Sequence, residues 1–220
     1  MGLPAGISEG IIMSTRGGLL PASEITWTHG CLHEILNNIP IHVESLIDVG
    51  CGRGIIGALV RIYRNAKRLV GIEIFKKNLD FCRQMNFYDE LYEYDLKQIP
   101  LPFNNKEFEA ATCIEVIEHL PKNKGINLLN ELERIAKMII ITTPNVPFSQ
   151  RDYDNNPFQR HLSSWSVKDF IKRGYKVKGV GDFVPFGRHV KYLSFYLSKF
   201  SYVMPAFSDM LLAYKVCNKA

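Results

Sequence analysis

Cysteine is sparse and scattered in this 220-residue sequence, and its spacing excludes whole classes of chemistry. Cys31, Cys51, Cys82, Cys113 and Cys217 form no Cys-x-x-Cys pair, so neither a thioredoxin-like redox motif nor a cysteine zinc site is encoded. An odd, dispersed set fits a reducing compartment. Long apolar runs are lacking too: none approaches the roughly 18 residues that a membrane span requires. The amino terminus shows no basic stretch leading into an apolar core, and Gly6 stands where a myristoylation pattern needs Ser or Thr. The expectation is a cytoplasmic protein with no membrane partner.

Charge runs are equally scarce. The formal net charge is +5, yet the basic residues come in pairs such as Lys67 and Arg68, Lys76 and Lys77, or Lys172 and Arg173. Pairs of this kind read as solvated faces, so a polyanionic partner is permitted without being required. What is present is ordinary: 46% hydrophobic and 22% charged residues belong to a globular chain with one full core. A single domain over residues 1–220 is expected, with a cofactor-binding core over 24–181 and an aromatic insertion over 182–209 before the last strand. A homodimer is compatible with this composition; nothing in it fixes the oligomeric state.

Strand and helix signals alternate regularly. Ser23 is a candidate cap for a helix from about Glu24 to Asn38, with Trp27, Cys31, Leu32, Ile35 and Leu36 near one face. Strands are predicted over Ser45 to Val49, Arg68 to Ile74, Leu91 to Tyr94, Phe108 to Ile114 and Met138 to Thr143. Between them, helical spacing marks Ile55, Ile56, Leu59, Val60 and Tyr63, then Lys76 to Met85, then Ile126, Leu129, Leu132 and Ile135. Ser166 should cap a helix to about Arg173, Tyr175 to Gly181 should add a sixth strand, and Met210 to Lys215 should close the sheet antiparallel. This order predicts an α/β fold, a doubly wound, mostly parallel seven-stranded sheet with helices on both faces.

The most informative segment is Ser45 to Gly54, Ser-Leu-Ile-Asp-Val-Gly-Cys-Gly-Arg-Gly, where an apolar strand with an acid near its end meets a glycine-rich turn. Such a turn lets the backbone approach a nucleotide-like ligand. Gly52, Gly54 and Gly57 also satisfy Gly-x-Gly-x-x-Gly, with Glu73 near the spacing of a dinucleotide ribose acid, so a nicotinamide oxidoreductase is an open alternative. Three features argue against it. Asp48 precedes a Gly50-Cys51-Gly52-Arg53-Gly54 run, Glu73 ends the second strand with Asp95 after the third, and the fourth runs into Cys-Ile-Glu-Val-Ile-Glu-His-Leu.

Over about Leu46 to Gly181 these residues resemble the class I S-adenosylmethionine-dependent methyltransferases of the small-molecule type, whose fold is Rossmann-like. The resemblance implies S-adenosylmethionine as cofactor and a small-molecule methyl acceptor as partner. It places Asp48 near the methionine amino group, with Gly50, Cys51, Gly52 and Gly54 beneath the methionine and ribose. Glu73 with Ile74 would meet the ribose hydroxyls, Asp95 and the Leu96 amide the adenine, and Glu115 would complete the cofactor set. Each acid has a local alternative: Asp48 bonding turn amides, Glu73 lying solvated, Asp95 forming a turn.

If the acceptor is a hydroxyl, His119 or His161 is the expected catalytic base, since a neutral imidazole takes a proton near physiological pH. No metal is assigned. Glu115, Glu118, His119 and His161 nevertheless look like the magnesium site of small-RNA 3′-terminal ribose methyltransferases, so RNA methylation with a divalent metal stands as an alternative. A non-catalytic S-adenosylmethionine-binding subunit is another. Thr142 to Asn145 resembles the segment beside the methyl acceptor, Asp154 to Trp165 reads as a stretch that closes over it, and Phe183 to Tyr202 reads as core packing, a substrate cap or a face against a partner subunit.

Overall fold

The computed structural model of the chain describes residues 31–145, 155–184 and 200–217. In chain order its elements are α1 (Leu32–Asn38), β1 (His42–Val49), α2 (Ile55–Tyr63), β2 (Asn65–Glu73), α3 (Lys76–Met85), β3 (Glu90–Glu93), β4 (Phe108–Ile114), α4 (Lys122–Ile135), β5 (Ala136–Pro144), α5 (Val167–Ile171), β6 (Lys176–Phe183) and β7 (Ser208–Val216). Single turns of 3₁₀ helix lie at Ile117–His119, Pro157–Gln159 and Pro205–Phe207.

The strands form one seven-stranded sheet in the order β3-β2-β1-β4-β5-β7-β6. Strands β1 to β5 pair parallel, and β7 runs antiparallel between β5 and β6. Adjacent strand residues face opposite layers because side chains alternate along a strand. Thus Leu46 and Leu69 pack with Ile35, Val60 and Tyr88, whereas Ile47 and Val70 pack with Phe108, Leu128 and Phe170. Both faces are therefore covered, as the uninterrupted apolar runs require. Strand order reverses between β1 and β4, and their carboxyl ends open a crevice at that point.

Several boundaries differ from the sequence expectation for local reasons. Strands β1 and β2 start three residues earlier than the apolar runs suggest, at His42 and Asn65. Polar side chains tie these ends together: Lys67 pairs with Glu44 at 2.8 Å, and Arg68 pairs with Glu90 at 2.6 Å and Glu107 at 2.9 Å. Arg173 likewise reaches Glu133 at 3.0 Å and Asn130 at 2.6 Å. Arg68 and Arg173 are thus cross-links between elements, not solvated faces. On α4 the buried stripe includes Leu128 and Glu131, while Ile126 is 40% exposed. Helix α5 starts at a Ser166 to Asp169 capping box, as expected, but ends by Ile171, where Gly174 takes a positive φ of 80°.

The segment between β6 and β7 begins after Phe183, not at Asp182, and Phe200, Tyr202 and Val203 within it are exposed. Ser23, Trp27, Phe186, Tyr192, Phe195 and Tyr196 lie outside the described residues. Among the described residues no helix is long and apolar enough to cross a membrane. The five cysteines are free thiols.

Candidate active site

The turn after β1 is pinned to β2: the Gly50 and Cys51 amides both donate to the Ile72 carbonyl, at 2.8 and 2.9 Å. Its glycines serve different ends. A Cβ on Gly50 would lie 2.4 Å from Val116, so that position is closed by packing. Gly52 holds φ at +54°, and a Cβ there would meet nothing within 4 Å. That open space is cavity. It offers room for a ligand directly against the turn's backbone, which is the fit a nucleoside donor needs.

The cavity has a volume of about 450 Å³ and collects the carboxyl ends of β1, β2 and β4 with the segment Asn156 to Leu162. Of the residues singled out from the sequence, Asp48, Gly50, Cys51, Gly52, Glu73, Ile74, Asp95, Leu96, Glu115, His119 and His161 line it. Gly54 does not. It opens α2 with φ of +83°, and a Cβ there would lie 3.1 Å from the Cys82 sulfur. Arg53, Lys97, Glu118 and Arg160 also line the cavity.

The three acids of the cofactor side are held in three ways. Asp48 is 1% exposed, and its oxygens accept from the Tyr88 hydroxyl at 2.7 Å and the Thr112 hydroxyl at 2.8 Å, not from turn amides. Burial pushes its carboxyl up to about 6, against the pull of those two hydroxyls. Glu73 is buried, not solvated, and accepts from the amides of Gly52, Ile74 and Phe75 at 2.8 to 2.9 Å. It therefore locks the glycine turn to the end of β2 as well as facing the cavity. Asp95 accepts from the Lys97 amide at 2.9 Å, which makes it a turn former at the cavity wall.

Glu115, Glu118, His119 and His161 line the same cavity. Glu115 follows β4 with φ of +53°, a left-handed conformation that is strained for a residue with a Cβ. One of its carboxylate oxygens is buried without a partner. Burial raises its carboxyl to about 7, the Thr142 hydroxyl opposes this and the Asp209 charge adds to it. Glu118 is buried as well; its Oε2 accepts from the Thr143 hydroxyl at 3.1 Å and its Oε1 has no partner. Burial first, and Glu115 second, push its carboxyl well above the usual range.

The two imidazoles stand edge to face with ring centroids 4.9 Å apart. His119 Nδ1 lies 3.3 Å from the Arg160 carbonyl, an acceptor for the ring proton in the tautomer that carries it on Nδ1. Burial, with His161 beside it, lowers His119 to about 4, so the ring is neutral at physiological pH. Ligand atoms of Glu118, His119 and His161 all lie within 4.8 Å of one another, and Glu115 stands outside that group.

Thr142, Thr143 and Pro144 are the buried end of β5; Thr143 reaches the site through Glu118, while Asn145 donates to the Ser208 carbonyl at 2.8 Å. Tyr88 and Thr112 were not foreseeable, since neither belongs to a motif. Glu118 was visible from its Glu-His pairing, though not its burial.

Residues 47–138 match the family model described as a methyltransferase domain. Over 134 residues the chain is 27% identical to the mitochondrial ubiquinone biosynthesis O-methyltransferase of Dictyostelium discoideum, covering 53% of this chain and 41% of that protein. The chain spans about half or less of the curated relatives it matches. In structure it is similar to a putative methyltransferase in complex with the Trm112 methyltransferase activator of Haloferax volcanii, with a TM-score of 0.63 and 16% identity over 90% of this chain and 92% of that one. It is also similar to the small RNA methyltransferase HEN1, with a TM-score of 0.58 and 19% identity over 86% of this chain and 26% of that one. Residues 47–138 are thus similar to a methyltransferase domain, and the fold of the chain is that of these solved structures.

Proposed function

We propose that the protein transfers a methyl group from S-adenosylmethionine to a hydroxyl of a small-molecule acceptor. The observation that carries this reading is the imidazole pair, His119 and His161, in the same cavity as the glycine turn and its acids. The O-methyltransferase relative in ubiquinone biosynthesis supports the same chemistry. A sulfonium donor supplies an electrophilic methyl and leaves as a neutral thioether, so the protein's task is to align the acceptor and exclude water. Gly50 and Gly52 seat the donor; Asp48, Glu73 and Asp95 orient it. One of the two imidazoles, His119 or His161, accepts the hydroxyl proton as the new bond forms.

A second reading is favoured by one observation: Glu118 Oε1 is buried without a partner beside the two imidazoles. One carboxylate oxygen and two imidazole nitrogens fit a divalent ion. Such an ion would lower the pKa of an acceptor hydroxyl, and the likeness to a small RNA methyltransferase makes a ribose hydroxyl the matching acceptor.

The test is incubation with methyl-labelled donor and a fractionated cell extract, with and without a chelator. Label in a low-mass species, unaffected by chelator, is the expected result. Label in RNA that chelator abolishes moves the assignment to the second reading. His119→Ala should lower kcat by about 10²-fold or more while leaving donor affinity intact. Full turnover by a folded His119→Ala protein would exclude it as the base.

A further inference from the structure

Tyr88 precedes β3, and its ring occupies a slot that three glycines leave open. A Cβ on Gly57 would lie 2.4 Å from the ring's Cζ, one on Gly71 3.0 Å from Cδ1, and one on Gly54 3.2 Å from Cε2. The turn, α2 and β2 each forgo a side chain to admit a single ring. Through that slot the hydroxyl reaches Asp48 Oδ2 in the interior, at 2.7 Å. The Thr112 hydroxyl on β4 donates to Oδ1 at 2.8 Å, on the other side of the carboxylate.

Both of these partners are neutral, although Asp48 is almost wholly buried and lines the cavity. The nearby titratable groups, Glu73, Cys51 and Cys113, add no positive charge. A buried carboxylate held by neutral donors is costly unless a cation meets it, and the cavity is where a cation can arrive. We propose that Tyr88 is a positioning residue: with Thr112 it holds Asp48 ionised and aimed into the cavity, where the carboxylate selects a donor bearing an α-ammonium group. Gly57 then serves the tyrosine ring and not a pyrophosphate, which removes the main support for a nicotinamide dinucleotide. The inference rests on the S-adenosylmethionine reading.

Calorimetric titration with S-adenosylhomocysteine and with its analogue lacking the α-amino group tests it, since the two differ in the ammonium alone. Tyr88→Phe keeps the ring in its slot and removes one donor. It should weaken S-adenosylhomocysteine about tenfold, as expected for a hydrogen bond to a charged group, and leave the deaminated analogue within about twofold. In an Asp48→Asn background the same substitution should cause no further loss. Equal loss of both ligands would show a merely structural tyrosine, and no loss of either would remove the role altogether. A wild-type protein that binds neither ligand would refute the cofactor reading itself, a result distinct from binding that Tyr88→Phe leaves unchanged.

Discussion

Gly57→Ala is expected to destabilise the protein although it replaces a helical glycine. In an ordinary helix the change gains up to about 1 kcal/mol, because glycine loses the most backbone freedom on folding. Gly57 lies in the first turn of α2, where its new methyl would sit 2.4 Å from the Tyr88 Cζ and 2.5 Å from its hydroxyl oxygen. Neither atom is the loose end of a flexible chain: the ring is 6% exposed and its hydroxyl is committed to Asp48. Forcing a methyl into a packed site costs about 1–3 kcal/mol. If the ring is pushed off Asp48, the lost bond to a charged group costs about 1.5–3 kcal/mol more. Against the helical gain, the net loss should be about 1.5–5 kcal/mol.

Urea denaturation of wild type, Gly57→Ala, Tyr88→Ala and the double variant reads this directly. The Gly57→Ala midpoint should fall with an unchanged slope. Tyr88→Ala is itself costly, as for any large buried ring, but once the ring is gone the sign at position 57 should reverse. In that background alanine should be neutral or stabilise by up to about 1 kcal/mol. A raised midpoint for Gly57→Ala alone would refute the slot, because the glycine would then be an unforced helical position.

Gly52→Ala should lose only about 1 kcal/mol to the positive φ but bind the donor at least tenfold more weakly, because the methyl projects into open cavity space. Calorimetry beside thermal melting separates these effects, and unchanged donor affinity would show that the ligand does not pass over this turn. Glu115→Gln should stabilise the ligand-free protein at pH 8 by about 1–3 kcal/mol and change it little at pH 5. The sign follows from a folded pKa raised from 4.5 to about 7: the folded carboxyl keeps a proton that the unfolded chain releases, so stability is lost as pH rises through that window. Equal effects at both pH values, in denaturant titrations, would show that the buried charge is not the cause.

What the sequence reveals here follows from the range of the forces involved. Strands β1, β2 and β4 are legible because burial on both faces demands apolar runs, and the glycine turn ends the first of them abruptly. The seats of Glu73 and Asp95 follow from strand ends in the same way. Partners do not. Asp48 meets Tyr88 across 40 positions and Thr112 across 64, contacts that no periodicity records.

Glu73 shows why residue type alone cannot settle a role. A carboxylate accepts from ribose hydroxyls or backbone amides by the same lone pairs, and three amides already occupy this one. Unspent capacity is the better guide to where a ligand enters. It lies at the unpartnered oxygens of Glu115 and Glu118 and in the empty space over Gly52, all lining one cavity. The donor is expected over Gly52 and the acceptor at the imidazole pair, with the transferred methyl between them. A donor-site substitution at Gly52 and an acceptor-site substitution at His119 should then act independently, the first on donor affinity and the second on kcat, with additive losses in the double variant.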